Sequence, residues 1–245
     1  LELKTRWGQM KYDRGSTLSK LQGSAEAVQR AMGPLPSLRS AQIAFVGPAG
    51  GSLTMRPTLL RRGKSTVFAA CDLWADTGLA TRTMFCFAED RPSDHRLVSA
   101  SAPLVPPPEE CSAFFASDRR PSFVENFEIR LARGAPPASG ADKADNSLWM
   151  RHRDPSAPTD AVALLALADA APPATFSILT EPTAVSTMCW SVDLFGDAFD
   201  TTDGWWLSRS VTDNLSNGYS MQTMSLWNRN GVQLLAGQQS VSIFS

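Results

Sequence analysis

The most apolar stretch of the chain, residues 161–168, predicts a buried helix. Its residues are apolar on every side, whereas a helix at the surface keeps one polar face. Thr159 and Asp160 precede the run and can cap its first turn, and Pro172-Pro173 ends the pattern. We therefore predict a helix over residues 161–171 that other elements cover. The run is far too short to span a bilayer.

A second helix and two sets of strands are predicted around this one. The Ala-rich residues 24–32 predict a helix that ends at the stop signal Gly33-Pro34. Apolar runs bounded by turn residues predict strands at 39–45, 53–60, 65–73, 79–87, 123–131, 148–153, 186–194, 205–211, 219–226 and 234–244. A helix followed by a run of strands occurs twice. This order is typical of an α+β fold rather than of alternating βαβ units.

A short repeated motif indicates that the chain contains two related halves. Leu73-Trp74 and Leu226-Trp227 each begin the pattern Leu-Trp-x-x-x-Gly, and strand-like runs flank both copies. Two strands joined at a Gly-containing turn form a hairpin, so the same hairpin is expected at the end of each half. We predict an N-terminal repeat over residues 1–90, a Pro- and Ser-rich linker over 91–121, and a C-terminal repeat over 122–245.

Composition and charge narrow the function classes. Hydrophobic residues make up 43% of the chain and charged residues 19%, and the formal net charge is −1, so neither a nucleic-acid surface nor a polybasic membrane patch is indicated. Cys71, Cys86, Cys111 and Cys189 lack metal-type spacing and are too sparse for a disulfide scaffold. With no secretory signal visible, they predict reduced thiols in a cytoplasmic protein that has no metal site.

Several catalytic motifs are missing from the sequence. The chain has two histidines, His95 and His152, and no Gly-x-Ser-x-Gly elbow, which argues against Ser-His-Asp catalysis. No phosphate loop, dinucleotide fingerprint or zinc motif occurs. His152 lies between two arginines at the end of a strand pattern, and this position predicts an exposed histidine.

Several stretches resemble one protein family. They are residues 40–48, 60–65, 166–173, 186–190, 217–220 and 226–244, and the resemblance extends over roughly residues 20–90 and 120–245. In their order and spacing they resemble the acyl-CoA thioesterase II-like proteins, in which two hotdog repeats are fused. The resemblance implies a double hotdog, with two antiparallel sheets that each wrap a central helix, fused as an intramolecular pseudo-dimer. It also implies a hydrolase of acyl-CoA thioesters, an enzyme of fatty acid metabolism.

The resemblance also implies which residues are catalytic. The family places an Asp on the second helix, a Thr or Ser on the next strand and a Gln on the last strand, which correspond to Asp169, Thr187 and Gln239 here. The adjacent Gln238 would lie on the opposite face of that strand. A carboxylate, a hydroxyl and an amide can together orient a water molecule against a thioester carbonyl. No separate cofactor is implied, since CoA is part of the acyl-CoA substrate, and double hotdogs commonly associate into homo-oligomers.

A departure from the family pattern leaves two further functions open. Family members carry Gly-Gly at the start of the first helix, where this chain has Gln22-Gly23, so Gly23 is the candidate substrate-binding residue. Backbone N–H groups at Gly23 and Ser24, near a helix N-terminus, could polarise the carbonyl. The altered motif also fits a non-catalytic module that binds acyl-CoA or lipid. An acyl-CoA hydratase is a further alternative, although no histidine is placed beside the helix Asp.

Overall fold

The computed structural model describes residues 17–49, 51–95, 97, 100–115, 122–196, 198–199 and 201–244. The elements are α1 (Thr17–Met32), β1 (Leu38–Phe45), β2 (Thr54–Arg62), β3 (Thr66–Ala75), β4 (Gly78–Ala88), β5 (Ser112–Ala113), β6 (Phe127–Arg133), β7 (Asp145–His152), α2 (Ala161–Asp169), β8 (Ala184–Leu194), β9 (Trp206–Ser216), β10 (Tyr219–Asn228) and β11 (Gln233–Phe244). Short 3-10 turns lie at Pro108–Glu110, Ser122–Asn126 and Ala174–Ser177. The first 16 positions of the predicted N-terminal repeat, and residues 96, 98–99 and 116–121 of the predicted linker, lie outside the described residues.

Within the described part of the chain, eleven antiparallel strands form one sheet, in the order β2-β3-β4-β1-β8-β11-β10-β9-β7-β6-β5. Strands β1 and β8 join its two parts, with Ser40 opposite Asp193 and Ala44 opposite Cys189. From this junction, β1-β4-β3-β2 extends to one side and β8-β11-β10-β9 to the other. The α+β prediction is confirmed, and the two expected sheets are joined edge to edge into one.

The buried helix predicted from the apolar run is confirmed as α2. Its N-cap is Asp160, whose side chain accepts a hydrogen bond from the backbone N–H of Ala163 at 2.9 Å. All seven residues from Val162 to Ala168 are buried. A helix without a polar face needs cover on all sides, and α2 has it from α1 and from the strands around it.

The first helix is longer than its sequence predicts. It begins at Thr17, whereas the predicted start was residue 24. Gly and Ser are weak helix formers, so Gly23 and Ser24 look like a boundary in the sequence. Both residues are buried together with Ala25, and α1 packs against α2, β2 and β3. This packing stabilises the helix across its weak residues. Among the described helices, none is long and apolar enough to cross a membrane.

Part of the predicted linker is anchored to the face of the sheet that points away from the helices. Trp149 donates its indole N–H to the carbonyl of Pro106 at 2.8 Å, and Trp227 donates to that of Ala100 at 3.2 Å. An apolar cluster fixes the same segment, and its members are Cys111, Trp149, Trp205 and Leu207, with Ala102, Val105 and Ala132 against them. The crossover therefore stabilises the outer face of the second half.

Candidate functional site

Thr187 on β8 and Gln239 on β11 lie side by side. The amide nitrogen Nε2 of Gln239 donates a hydrogen bond to Oγ1 of Thr187 at 3.1 Å. Gln239 is buried and Thr187 is half-buried. Two of the three residues that the resemblance identifies as catalytic are thus in direct contact.

A β-bulge brings Thr187 to this position. On β11, Ser240 pairs with Cys189 and Val241 pairs with Thr187, so β8 has one extra residue between them. Directly opposed residues in an antiparallel sheet share a face, and Val241 is fully buried on the inner face. The bulge therefore turns Thr187 inward where simple alternation from Trp190 would turn Met188 inward.

Residue 239, not residue 238, is the inward-facing glutamine. Gln239 is 5% exposed and pairs with the buried Trp190, whereas Gln238 is exposed. Adjacent residues of a strand point to opposite faces, so only one of the two can reach Thr187.

Gln222 is a further polar residue of this site, and it was not predicted from the sequence. It lies on β10 directly opposite Gln239 and is 1% exposed. Its Nε2 donates to Oε1 of Gln239 at 2.6 Å, and its Oε1 accepts from the backbone N–H of Ala174 at 2.9 Å. Burial alternates along β10, with Ser220, Gln222 and Met224 on the inner face, but the sequence of this strand has no matching alternation of apolar and polar residues that could have indicated it.

Asp169 is the last residue of α2 and is half-buried. The chain after it turns through two prolines into the 3-10 turn Ala174–Ser177. Ala174 bonds to Gln222 in that turn, and Thr175 lies 2.9 Å from the hydroxyl of Thr212 and 3.1 Å from that of Ser220. These bonds hold the 3-10 turn that follows α2 against β9 and β10. The hydrogen-bonded group itself consists of Thr187, Gln239 and Gln222.

The expectation that Gly23 lies at a helix N-terminus is wrong. Because α1 begins at Thr17, Gly23 is in the second turn of the helix. An interior N–H donates to the carbonyl four residues earlier and is not available to a substrate. Ser24 is fully buried, and its hydroxyl is hydrogen-bonded to the thiol of Cys71, whose pKa burial raises above its usual range. Neither Gly23 nor Ser24 offers a free backbone donor.

The first half of the sheet has apolar residues at the corresponding positions. Aligning Leu73 with Leu226 places Ala69 where the second half has Gln222. The strand opposite then places Phe85 where the second half has Gln239, and β1 places Leu38 at the position of Thr187. All three are buried. The polar contacts of the second half therefore have no counterpart at these positions of the first.

His152 is not exposed, contrary to the prediction. Its Nε2 lies 3.1 Å from the carbonyl oxygen of Ala163 in α2, and because a carbonyl can only accept, the ring nitrogen donates. The ring packs near Phe127 and Trp206, with centroid distances of 5.1 and 6.2 Å. Burial lowers the pKa of His152 to about 4. Arg151 points the other way because neighbours on a strand alternate between faces, and Arg153 lies just past the end of β7.

This half-buried histidine should make the stability of the protein pH-dependent. The unfolded chain binds a proton near pH 6.5 and the folded protein only near pH 4, so the free energy of unfolding falls as the pH is lowered through that window. Between pH 7.5 and pH 5 we expect His152 to account for a loss of about 2 kcal/mol. Urea unfolding at both pH values should give a smaller difference for His152→Gln than for the wild type. The exposed His95, changed to Gln, is the control, and an equal effect of both substitutions would contradict the assignment.

No metal-binding group is evident at the site. Over the described ranges, no cluster of three or more His, Cys, Asp or Glu side chains could hold a metal ion. The four cysteines are free thiols, of which Cys71 and Cys111 are buried.

Comparisons with known proteins agree on the fold. The conserved hot dog fold protein of unknown function from Alicyclobacillus acidocaldarius is 23% identical, with a TM-score of 0.86 over 96% of this chain and 89% of that one. A putative thioesterase II from Thermobifida fusca is 19% identical, with a TM-score of 0.78 over 93% and 86%. The acyl-CoA thioesterase II from Mycobacterium marinum is 18% identical, with a TM-score of 0.70 over 94% and 91%. The double-hotdog fold is confirmed.

The sequence itself identifies the family. No curated protein matches the chain. The model of one family, described as the acyl-CoA thioesterase C-terminal domain, matches residues 106–243. This range contains α2 and the strands that carry Thr187, Gln222 and Gln239. Because the match covers more than half of its length, the chain belongs to the acyl-CoA thioesterase C-terminal domain family.

Proposed function

We propose that the protein hydrolyses acyl-CoA thioesters to a free carboxylic acid and CoA. The observation that carries this proposal is the hydrogen bond between Gln239 and Thr187 on the inner face of the sheet. The proposal further requires that the Asp169 carboxylate, at the end of α2, reaches the same water molecule. A hydroxyl, an amide and a carboxylate that converge on one point can bind and orient one water molecule. Membership of an acyl-CoA thioesterase family supports the choice of a thioester as the substrate.

In the proposed reaction, the water oxygen attacks the thioester carbonyl carbon while the Asp169 carboxylate accepts a proton from that water. Thr187 and Gln239 orient this water against the carbonyl. The tetrahedral intermediate then collapses, the carbon–sulfur bond breaks, and the CoA thiolate leaves and takes up the proton. The reaction consumes one water and forms no covalent bond between the acyl group and the enzyme.

We also propose that each chain has one catalytic site. The predicted C-terminal repeat, residues 122–245, carries Asp169, Thr187 and Gln239. The first half has Leu38 and Phe85 at the positions of Thr187 and Gln239, and neither side chain can hold a water molecule. In this proposal the described part of the first half, residues 17–49 and 51–90, completes the fold around the site and supplies no catalytic side chain.

A thiol-release assay tests the activity. The purified protein is incubated with short, medium, long-chain and aromatic acyl-CoAs, and free CoA is measured with a thiol reagent. We expect release from at least one of these classes, at a rate proportional to the protein concentration. Tight acyl-CoA binding without thiol release would contradict hydrolysis and favour a binding module. Hydration of an enoyl-CoA without thiol release would indicate a hydratase instead.

A further inference from the structure

The direction of the Gln222 amide is fixed by a backbone group. The two ends of a glutamine amide have almost the same shape and differ in hydrogen bonding, since oxygen accepts and nitrogen donates. The backbone N–H of Ala174 can only donate, so the atom of Gln222 that lies 2.9 Å away must be Oε1. The nitrogen of Gln222 is therefore directed toward β11.

The direction of the Gln239 amide follows from that of Gln222. Nε2 of Gln222 lies 2.6 Å from Gln239, which must present Oε1 to it. The nitrogen of Gln239 then faces Thr187, 3.1 Å from Oγ1. Gln222 and Gln239 are 1% and 5% exposed. If either amide were turned around, a donor would face a donor or an acceptor would face an acceptor, and the hydrogen bond would be lost. Because both residues are buried, bulk water could not replace that bond.

We infer that Gln222 is a positioning residue, which directs the Gln239 amide so that Gln239 and Thr187 each keep a hydrogen to donate, one to the attacking water and the other to the thioester carbonyl oxygen. Nε2 of Gln239 carries two hydrogens and uses one on Thr187. Oγ1 of Thr187 already accepts a hydrogen bond, so its own hydrogen remains available for donation. Asp169 is then the acceptor of the site. This division of roles rests on the proposed hydrolysis, in which the water gives a proton to the carboxylate.

A comparison with the first half of the sheet supports a role of Gln222 that is specific to the second half. There the position of Gln222 is taken by Ala69, which is fully buried and packs in the apolar core. Packing at this position of the sheet is therefore satisfied by an apolar residue and does not by itself require a glutamine. A buried amide is stable only if its hydrogen bonds are made, and Gln222 makes both of its bonds toward the site.

The substitution Gln222→Glu tests the inference because it reverses the direction of the hydrogen bonds that run from Gln222 through Gln239 to Thr187. The shape of the side chain is almost unchanged. An ionised carboxylate accepts with both oxygens, so it can still bond to the N–H of Ala174 but must draw the nitrogen of Gln239 toward itself. Gln239 would then present its oxygen to Thr187, which would spend its hydroxyl hydrogen on that bond. At pH 8 we expect kcat for thiol release to fall roughly 30-fold, with KM changed less than about threefold.

The pH profile separates this mechanism from simple loss of structure. As the pH is lowered, the buried carboxyl takes up a proton, and its O–H can donate to Oε1 of Gln239 as the native amide does. The ratio of the variant's kcat to that of the wild type should therefore rise at least threefold between pH 8 and pH 5.5. Circular dichroism at each pH gives the folded fraction, to which the rates are normalised.

Two further variants complete the experiment. Gln238→Glu makes the same chemical change on the neighbouring, exposed residue of β11 and should leave the rate and its pH dependence unchanged. Gln222→Met removes the hydrogen bond to Gln239 without reversing its direction. Its kcat should therefore fall less than that of Gln222→Glu, and its pH profile should run parallel to that of the wild type. If Gln222→Glu does not fold, Gln222→Met decides, with a lowered kcat at unchanged KM supporting the role.

Each outcome bears on the inference. Wild-type kcat and pH dependence in folded Gln222→Glu and folded Gln222→Met together overturn it and leave the proposed hydrolysis standing. The same holds if kcat of Gln222→Glu is lowered by a factor that stays constant with pH, or if kcat of Gln222→Met is unchanged. A wild-type protein that releases no thiol from any acyl-CoA overturns the proposed function and this inference together.

Discussion

Changing Asp169 to Asn should lower kcat for acyl-CoA hydrolysis about 1,000-fold, because general-base catalysis contributes roughly 10²–10⁴-fold and an amide cannot accept the proton of the attacking water. The shape of the side chain is almost unchanged, so substrate binding and KM should change little. The measurement is steady-state thiol release with the best substrate of the panel, at saturating acyl-CoA.

Asp193→Asn is the matched control for Asp169. Asp193 is an exposed carboxylate on β8, the same strand that carries Thr187. The control removes one negative charge without touching the site, and it should keep the wild-type rate. If Asp169→Asn retained full turnover, Asp169 would have no part in the reaction, and the water would need another proton acceptor.

Changing Thr187 to Val should lower kcat by about 10²–10³-fold, the range found when one hydrogen-bond donor of a catalytic site is removed. Valine matches the shape of threonine, so the strand and its bulge should remain. The variant loses the hydroxyl that accepts from Gln239 at 3.1 Å and also leaves that buried amide without one partner. Thr187→Ser keeps the hydroxyl and should retain most of the activity.

The control for Thr187 is Thr223→Val. Thr223 is a half-buried strand residue on β10 and lies opposite Gln238, the outward-facing glutamine. The same substitution on this face tests the general effect of losing a strand hydroxyl. Thiol release by Thr187→Val at the wild-type rate, or equal losses in Thr187→Val and Thr223→Val, would show that the contact between Thr187 and Gln239 is structural.

The hydrogen bonds of the site make these substitutions interdependent. Thr187, Gln239 and Gln222 are linked in series to the backbone of Ala174, so each change alters the orientation of the next group. Residues in one hydrogen-bonded network do not contribute independently. The double variant Thr187→Val with Gln222→Glu should therefore lose less activity than the product of the two single losses.

The element boundaries show how far local patterns reach. The apolar run of residues 161–168 is enough to predict α2 as a buried helix, because a helix without a polar face can only be buried. The start of α1 was misplaced by several residues because Gly23 and Ser24 weaken local helix propensity, whereas their burial against the core overrides it. The position of His152 differs from the prediction for a similar reason, since Arg151 lies on the opposite face of β7 and Arg153 lies beyond the end of that strand.

By itself, the sequence determined the α+β class, the strands of both halves, the hairpin repeat and the resemblance that pointed to Asp169, Thr187 and Gln239. These follow from periodicity, turn residues and motif order, which are local properties. Only the tertiary structure decided which residues meet. The bulge in β8 turned Thr187 inward, and the pairing of β10 with β11 placed Gln222 against Gln239. Contacts between distant segments depend on strand register, and register is set by packing of the whole sheet rather than by either strand alone.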